Sequence, residues 1–327
     1  MGGSCIIQAP GKINLHLRVG NRRIDGYHDL ESVFLCLDFG DILWFETRKG
    51  GGGEPGCSIR LAEGTDPSWA EALAGGRNII TRAVALFRER TGFDKPVQVI
   101  LKKRIPPGGG MGGGSSDAAS ALVALDALAG TALSREVLHE MAAVLGSDVP
   151  FFLSGGVALV SGRGEVVRPV EVSRFAPGYP SAPFWVVLVN PGFPSDTAEA
   201  YALLDHARRS GTVGVSTGRR IPEGEALVKA LGKPPVSWPF RNDFLPVFLA
   251  PGPEGDVTPS GEVYRDILVD LRVFGADFSG LSGAGSTCFG IFSQKGAAER
   301  AVQSFLTRYK FVELTIPLAR SAKAVLQ

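Results

Sequence analysis

Apolar residues fall at a spacing near two in four segments at the start of the chain, Cys5 to Gln8, Ile13 to Val19, Leu30 to Leu37 and Asp41 to Thr47. Such alternation predicts strands with one buried face. The spacing then changes. From Asn78 to Arg90 the residues Ile79, Ile80, Ala83, Leu86 and Phe87 recur at helical intervals, and Val97 to Lys102 alternates again. Two alanine- and leucine-rich helices are expected at Asp117 to Leu128 and Ser134 to Leu145, the second capped by the Ser134 hydroxyl. Val157 to Val160 and Glu165 to Pro169 have the pattern of a hairpin. Beyond them the chain predicts a strand at Trp185 to Val189, helices at Thr197 to Arg208 and Val263 to Phe274, a strand at Ser286 to Phe292 and a helix at Ala297 to Tyr309. The alternation is less regular than in a doubly wound sheet, so the fold class is α+β in two layers.

A chain of 327 residues exceeds what one hydrophobic core usually serves, which favours two domains. The proline-rich stretch Phe175 to Pro183 is the natural junction, dividing the chain into residues 1–175 and 176–327. Gly50 to Pro55 and Pro251 to Gly261 have the composition of flexible surface insertions. Charge excludes two classes of partner. With 34 basic and 33 acidic residues and no long like-charge block, neither nucleic acid nor an anionic membrane is favoured. No apolar run approaches the length of a membrane span, and the opening MGGSCIIQAPGK lacks the basic and apolar regions of a secretory leader. Cys5, Cys36, Cys57 and Cys288 are scattered with no CxxC pair, so they are expected as small buried hydrophobes of a cytoplasmic protein, with no metal site among them.

One segment carries candidate chemistry. Pro106-Pro107-Gly108-Gly109-Gly110-Met111-Gly112-Gly113-Gly114-Ser115-Ser116 runs from the end of an expected strand into an alanine-rich helix that opens at Asp117. A glycine and serine run is often only a linker, as the run at Gly50 would be. Placed at a helix start, however, it exposes backbone N–H groups and the positive end of the helix dipole, and glycine lets a polyphosphate approach the backbone. Gly108, Gly110 and Gly113 satisfy GxGxxG, but the element after the first helix is another helix rather than the second parallel strand of a dinucleotide fold. No lysine follows the glycines as GK[ST] requires, so the Walker loop fails too.

Three blocks in order, Ala9-Pro10-Gly11-Lys12-Ile13-Asn14-Leu15, the glycine loop and Leu281-Ser282-Gly283-Ala284-Gly285-Ser286-Thr287, resemble the GHMP kinase superfamily of galacto-, homoserine, mevalonate and phosphomevalonate kinases. Asp25-Gly26-Tyr27-His28-Asp29-Leu30-Glu31-Ser32-Val33-Phe34, Gly146-Ser147-Asp148-Val149-Pro150-Phe151-Phe152 and Arg241-Asn242-Asp243-Phe244 are similar to the branch that phosphorylates a cytidine-diphosphate-linked methylerythritol. The resemblance implies a β-rich N-terminal nucleotide-binding domain, a two-layer ferredoxin-like C-terminal domain and an active site in the cleft between them. It implies ATP as phosphoryl donor, with Mg²⁺ expected from the chemistry rather than from a ligand motif. It also assigns roles. Asp148 is the catalytic base and Lys12 the cation beside it; residues 106 to 116 hold the phosphates, and Asn78 and Lys103 lie near adenine and ribose. Tyr27 stacks on the cytosine and His28 hydrogen-bonds it, Phe34 and Tyr201 wall that pocket, and Asn14 and Thr197 make polar contacts to the erythritol or diphosphate.

Where the family commonly reads Val-Ser-Thr this chain has Ser195-Asp196-Thr197, and a carboxylate there would repel a diphosphate unless Asp196 points to solvent as a helix N-cap or pairs with a cation the sequence does not identify. A homoserine or mevalonate kinase remains the rival within the superfamily, and a non-catalytic nucleotide-binding protein that kept this fold the rival of another class. A monomer or homodimer acting on a small molecule is expected.

Overall fold

The computed structural model describes residues 3–48, 56–69, 78–171, 184–211, 223–250, 258–319 and 324–326. The segment Gly50 to Pro55 and the junction Phe175 to Pro183 therefore lie outside the described residues. The four N-terminal alternating segments form two long strands, β1 (Ser4–Arg22) and β2 (His28–Thr47), paired antiparallel. Pro10 and Gly11 suggest a break, but the strand continues because the register shifts there: Pro10 faces Gly40 while Lys12 faces Cys36, so three residues of β2 oppose one of β1. Proline has no N–H to give the ladder.

The ribbon serves several surfaces. Cys5, Ile7 and Ala9 of β1 enter one apolar cluster, Ile13 and Leu15 a second, and Leu17 and Val19 a third. β3 (Cys57–Leu61) runs parallel to β4 (Val97–Lys102), and β4 pairs with β2. Helix α1 (Ile79–Thr91) is capped by Asn78, whose Oδ1 accepts from the Ile80 N–H at 2.9 Å. Helix α2 (Gly113–Ala129) begins four residues before the expected Asp117, so Gly113 to Ser116 form its first turn instead of belonging to the loop. Gly112, at φ 70°, turns the chain into the helix, and first-turn N–H groups need no helical partner, so the two glycines there are tolerated. Ser134 caps α3 (Arg135–Leu145) by accepting from the Val137 N–H. A short α4 (Val149–Ser154) follows, with Pro150 in its first turn. β5 (Val157–Gly162) pairs with β2, and β6 (Val166–Pro169) pairs with β5.

The second sheet is built from β7 (Trp185–Asn190), β8 (Phe278–Leu281), β9 (Cys288–Phe292) and β10 (Phe311–Thr315), ordered β10-β7-β9-β8 and antiparallel throughout. Between β7 and β8 lie α5 (Thr197–Ser210), α6 (Glu225–Leu231), α7 (Leu245–Leu249) and α8 (Pro259–Val273), and α9 (Lys295–Phe305) links β9 to β10. This is the βαββαβ path of a ferredoxin-like layer pair. Val187 and Val189 face α8 and α9, whereas Val186 and Leu188 pack on Ile13, Leu15, Val33 and Leu35 of the ribbon. That explains why β7 reads as a continuous apolar run: both faces are buried.

Two expectations change here. Thr258 to Gly261 are not loop but the opening of α8, with Thr258 Oγ1 accepting from the Gly261 N–H at 3.1 Å and Pro259 in the first turn where its missing N–H does no harm; only residues 251–257 of that insertion lie outside the described set. Near the other end of the chain, β11 (Val325–Leu326) returns to pair with Cys5 and Ile6, so the seven-stranded sheet uses both ends of the sequence. No helix among the described residues is long and apolar enough to cross a membrane.

His16 lies in the middle of β1 at 0% exposure. Its Nδ1 accepts from the Arg241 N–H at 3.2 Å, and its Nε2 finds no partner among the described residues. Burial, then the charges of Arg241 and Arg18, push its pKa down to about 3. The folded pKa is thus below the unfolded value of about 6.5, so the neutral ring costs nothing above pH 6.5 and stability is lost as pH falls, because only the unfolded chain takes the proton. Equilibrium unfolding should show a loss of about 1.4 kcal/mol per pH unit from this group between roughly pH 6 and 5. In His16→Asn, whose amide oxygen can take the Arg241 bond, the slope should flatten by that amount; an unaltered slope would contradict the assignment.

Candidate active site

The glycine loop is held by its own carbonyls. Gly108 O accepts from Ser195 N at 3.1 Å, Gly109 O from Thr287 N at 3.1 Å, Gly110 O from Ser282 Oγ at 2.9 Å, Met111 O from Lys12 N at 3.0 Å and Gly112 O from Ser116 N at 2.9 Å. Five consecutive acceptors are consumed. No described group accepts from the N–H of Gly110, Met111 or Gly112, and the opening N–H groups of α2 are unpaired by the nature of a helix start. The loop therefore offers donors to an anion and little else. Gly110 shows why side chains are excluded: at φ 76° a Cβ would lie 2.2 Å from the Ser282 carbonyl oxygen.

Beneath the loop Lys103 is clamped between Asp41 at 2.5 Å and Asp117 at 2.8 Å. Asp41 also accepts from the Arg104 and Ile105 N–H groups at 2.6 and 2.8 Å, which ties the end of β4 to β2, while Asp117 ties both to α2. Burial alone would lower the Lys103 pKa, but Asp117 and Asp41 outweigh it and raise it. Burial and the neighbouring Asp41 raise that of Asp117 in spite of Lys103, as expected when two carboxylates share one cation. The ammonium of Lys103 is committed to these carboxylates. Its stem lines the cavity, and its charge holds the loop's foundation.

Lys12 is also buried, at 4% exposure, with different partners. Its Nζ donates to Asn14 Oδ1 at 2.6 Å, lies 4.4 Å from the Phe34 ring centroid and stands 3.5 Å from Asp148 Oδ2. Burial lowers its pKa, and the attraction of Asp148 opposes that shift. Asn14 lines the cavity, with Oδ1 accepting from Lys12 and Nδ2 donating to Ser32 Oγ at 2.9 Å. Asp148 precedes α4 in an N-cap position yet makes no capping bond, and its carboxylate keeps 31% of its surface open.

The other end is aromatic. Tyr27 is 56% exposed, with the Arg163 guanidinium 5.0 Å from its ring centroid. The His28 ring lies on Tyr201, centroids 4.9 Å apart and 21° between planes, and its Nε2 is 2.9 Å from Asp205 Oδ1. Phe34 both meets Phe151 edge-on in the core and lines the cavity. Asp196 caps α5, accepting from the Ala198 and Glu199 N–H groups at 2.8 and 3.1 Å, and is exposed as expected of a solvent-facing cap.

A single cavity of about 1070 Å³ connects these parts. Lys12, Asn14, Tyr27, His28, Phe34, Asn78, Lys103, residues 106–115, Asp148, Thr197 and Tyr201 line it; Ser116 does not, being turned inward in the first turn of α2 with an Oγ that has no described partner. Sequence reasoning missed Asp41, Asp205 and Arg163. Asp41 left a signal, since it alternates with the buried Leu43 and Phe45 on one strand face, and a carboxylate there demands a cation. Asp205 left one too, four residues after Tyr201 on a helix. Arg163 sits in the β5–β6 turn and left none.

The chain matches the GHMP kinases N terminal domain over residues 78–156 and the GHMP kinases C terminal domain over residues 251–310. It is similar to a 4-diphosphocytidyl-2-C-methyl-D-erythritol kinase of Salinispora tropica, 37% identical over 305 residues that cover 91% of this chain and 85% of the relative. A kinase of the same name from Treponema pallidum subsp. pallidum is 34% identical, covering 94% and 96%. Among solved structures, a 4-(cytidine 5'-diphospho)-2C-methyl-D-erythritol kinase aligns at TM-score 0.70 with 29% identity, covering 95% of this chain and 98% of that one. Homoserine kinase of Cytophaga hutchinsonii shares the fold at TM-score 0.62 and 16% identity, covering 99% and 97%.

Replacing Lys103 by methionine should leave two buried carboxylates facing each other and lower stability by about 3–5 kcal/mol. Urea unfolding checks this, and a loss below about 1 kcal/mol would show that the triad does not hold the loop.

Proposed function

The chain belongs to the 4-diphosphocytidyl-2-C-methyl-D-erythritol kinases of the GHMP family, and on that premise we propose that it transfers the γ-phosphoryl group of ATP to the 2-hydroxyl of 4-diphosphocytidyl-2-C-methyl-D-erythritol, a step of non-mevalonate isoprenoid synthesis. The observation that carries the reading is the Lys12–Asp148 pair, 3.5 Å apart, in one cavity with a loop whose carbonyls from Gly108 to Gly112 are all bonded. Residues 106–115 hold the triphosphate, with Asn78 near the nucleoside. Asp148, partly open to the cavity, takes the proton of the attacking hydroxyl. Lys12, aimed by Asn14 and sheltered by Phe34, stabilises the charge that develops on that oxygen, and in a buried setting this charge interaction is strong. Tyr27, His28 and Tyr201 take the pyrimidine, whose faces suit an aromatic pocket. Thr197 lines the stretch between the pyrimidine and the hydroxyl.

Magnesium fits this residue set. Such an ion is held mainly by phosphate oxygens and needs only one or two ligands from protein. Ser115 lines the cavity beside the loop, and Asp117 Oδ1 is buried there without a partner among the described residues, so these would be the chain's contributors. Bound there, the ion would neutralise phosphate charge. The division of the chain near residue 175 belongs to the same proposal, with the nucleotide on the seven-stranded side.

Assay with ATP and, separately, the cytidine-diphosphate substrate, homoserine and mevalonate should give turnover of the first alone. Asp148→Asn should lower kcat by about 10²–10⁴-fold. Turnover of homoserine or mevalonate in its place would overturn the substrate, and near-normal rate in Asp148→Asn would overturn the base.

A further inference from the structure

Where β7 ends, Asn190 is 3% exposed, and both the nitrogen and the oxygen of its carboxamide are engaged. Nδ2 donates to Ser286 Oγ at 3.1 Å and to Thr287 Oγ1 at 3.0 Å, and Oδ1 accepts from the Gly192 N–H at 2.9 Å. A backbone N–H can only donate, so Gly192 decides which end of the amide is oxygen. Ser286 and Thr287 carry the connection further. Ser286 Oγ donates to Phe193 O at 2.5 Å, and the Thr287 N–H donates to Gly109 O at 3.1 Å. Asn190 thus stands behind the glycine loop without lining the cavity, so close that a Cβ on Gly109 would lie 3.0 Å from Nδ2.

Residues 191–195 link β7 to α5 and are fastened at both ends. The near end is held at Gly192 and Phe193 by the side chains of Asn190 and Ser286. At the far end Ser195 gives its N–H to Gly108 O at 3.1 Å and its hydroxyl to Ala284 O at 2.7 Å. Pro194 packs on Gly108, where an added Cβ would lie 3.0 Å from the proline Cβ. The chain then enters α5, whose Thr197 and Tyr201 line the cavity. One short segment therefore touches the loop that faces the phosphate donor and leads directly into the helix that faces the acceptor.

We propose that residues 191–195 are a spacer that sets the separation of donor and acceptor, with Asn190 and Ser195 as its positioning residues. The proposal rests on the reading that ATP occupies the glycine loop and the acceptor lies along α5. Without these ties each subsite keeps groups of its own: Lys12 and Ser282 still hold the loop at Met111 and Gly110, and Asp196 still caps α5. What the ties fix is the distance between the two, and phosphoryl transfer, which depends on positioning, is steeply sensitive to it. Losing one should slow transfer between bound partners and leave the affinity for each partner nearly unchanged.

The test measures single-turnover transfer from ATP to the cytidine-diphosphate substrate at saturation of both, per binding-competent site, in wild type, Ser195→Ala, Ser195→Thr and Asn190→Ala. The dissociation constant of each ligand alone is measured alongside. Ser195→Ala should slow transfer about 3–10-fold and Asn190→Ala about 10²-fold, with each dissociation constant within about twofold of wild type. Ser195→Thr, which keeps the hydroxyl, should recover most of the rate. A merely structural role would reduce the fraction of binding-competent protein and leave the rate per site intact. That result, a loss of affinity that accounts for the loss of rate, or equal slowing in Ser195→Thr and Ser195→Ala would each overturn the proposal. Should Asn190→Ala fail to fold, the half-buried Ser195 and its two variants decide alone. Wild type that transfers nothing to the cytidine substrate would overturn the functional reading and the spacer with it, whereas transfer unchanged in the variants would overturn the spacer alone.

Discussion

A two-stranded ribbon of 19 and 20 residues twists too far for one of its faces to serve a single core. β1 and β2 meet this constraint by shifting register three times, after Pro10, after Asn14 and after Val19. Each shift re-aims the side chains, so the same strand supplies Ile7 to the helical layer of α1 and α2, Ile13 to the contact between the sheets, and Leu17 to the core under α8. Lys12 sits at the first shift, where its N–H is released from the ladder and donates to Met111. The irregularity that keeps the ribbon packed on all sides thus also fastens the glycine loop and delivers an ammonium to the cavity.

Two buried lysines divide the electrostatic work. Lys103 has two carboxylates within 2.8 Å and is fixed as a strut. Lys12 has a neutral amide at 2.6 Å, an aromatic face and one carboxylate at 3.5 Å, so its charge is less fully compensated. The difference matters because an uncompensated buried cation responds to any negative charge that develops beside it, whereas a compensated one does not. Placing both under one cavity separates the charge that builds the site from the charge that acts in it.

Much of this was legible in the chain. The place of the glycine run, between a strand and an alanine-rich helix, was legible, and the capping roles of Ser134 and Asp196 followed from residue type and position. The long strands were not legible, since Pro10-Gly11 has the chemistry of a break and only pairing with Met111 and Gly40 shows it to be a shift. The start of α8 was hidden for the same reason: Thr258-Pro259 terminates one reading and opens another, depending on whether apolar partners wait beyond it. Lys103 and Asn14 line the cavity, but their partners Asp41, Asp117 and Ser32 come from other segments, and which side chain satisfies which is a fact of packing. Asp205 could have been read from its helical phase with Tyr201, whereas the turn carrying Arg163 offers no such period.

The carbonyls of the glycine loop are bonded by Lys12 from the ribbon and by Ser195, Ser282 and Thr287 from segments of the second sheet and its connections. The loop's shape is therefore the joint property of two layers. Although the fold divides visibly into two sheets, a second half with a different spacing of serine and threonine donors would leave the loop's carbonyls without their partners. A shift in one sheet would therefore be felt in the other through a handful of hydrogen bonds, and the loop would register it first.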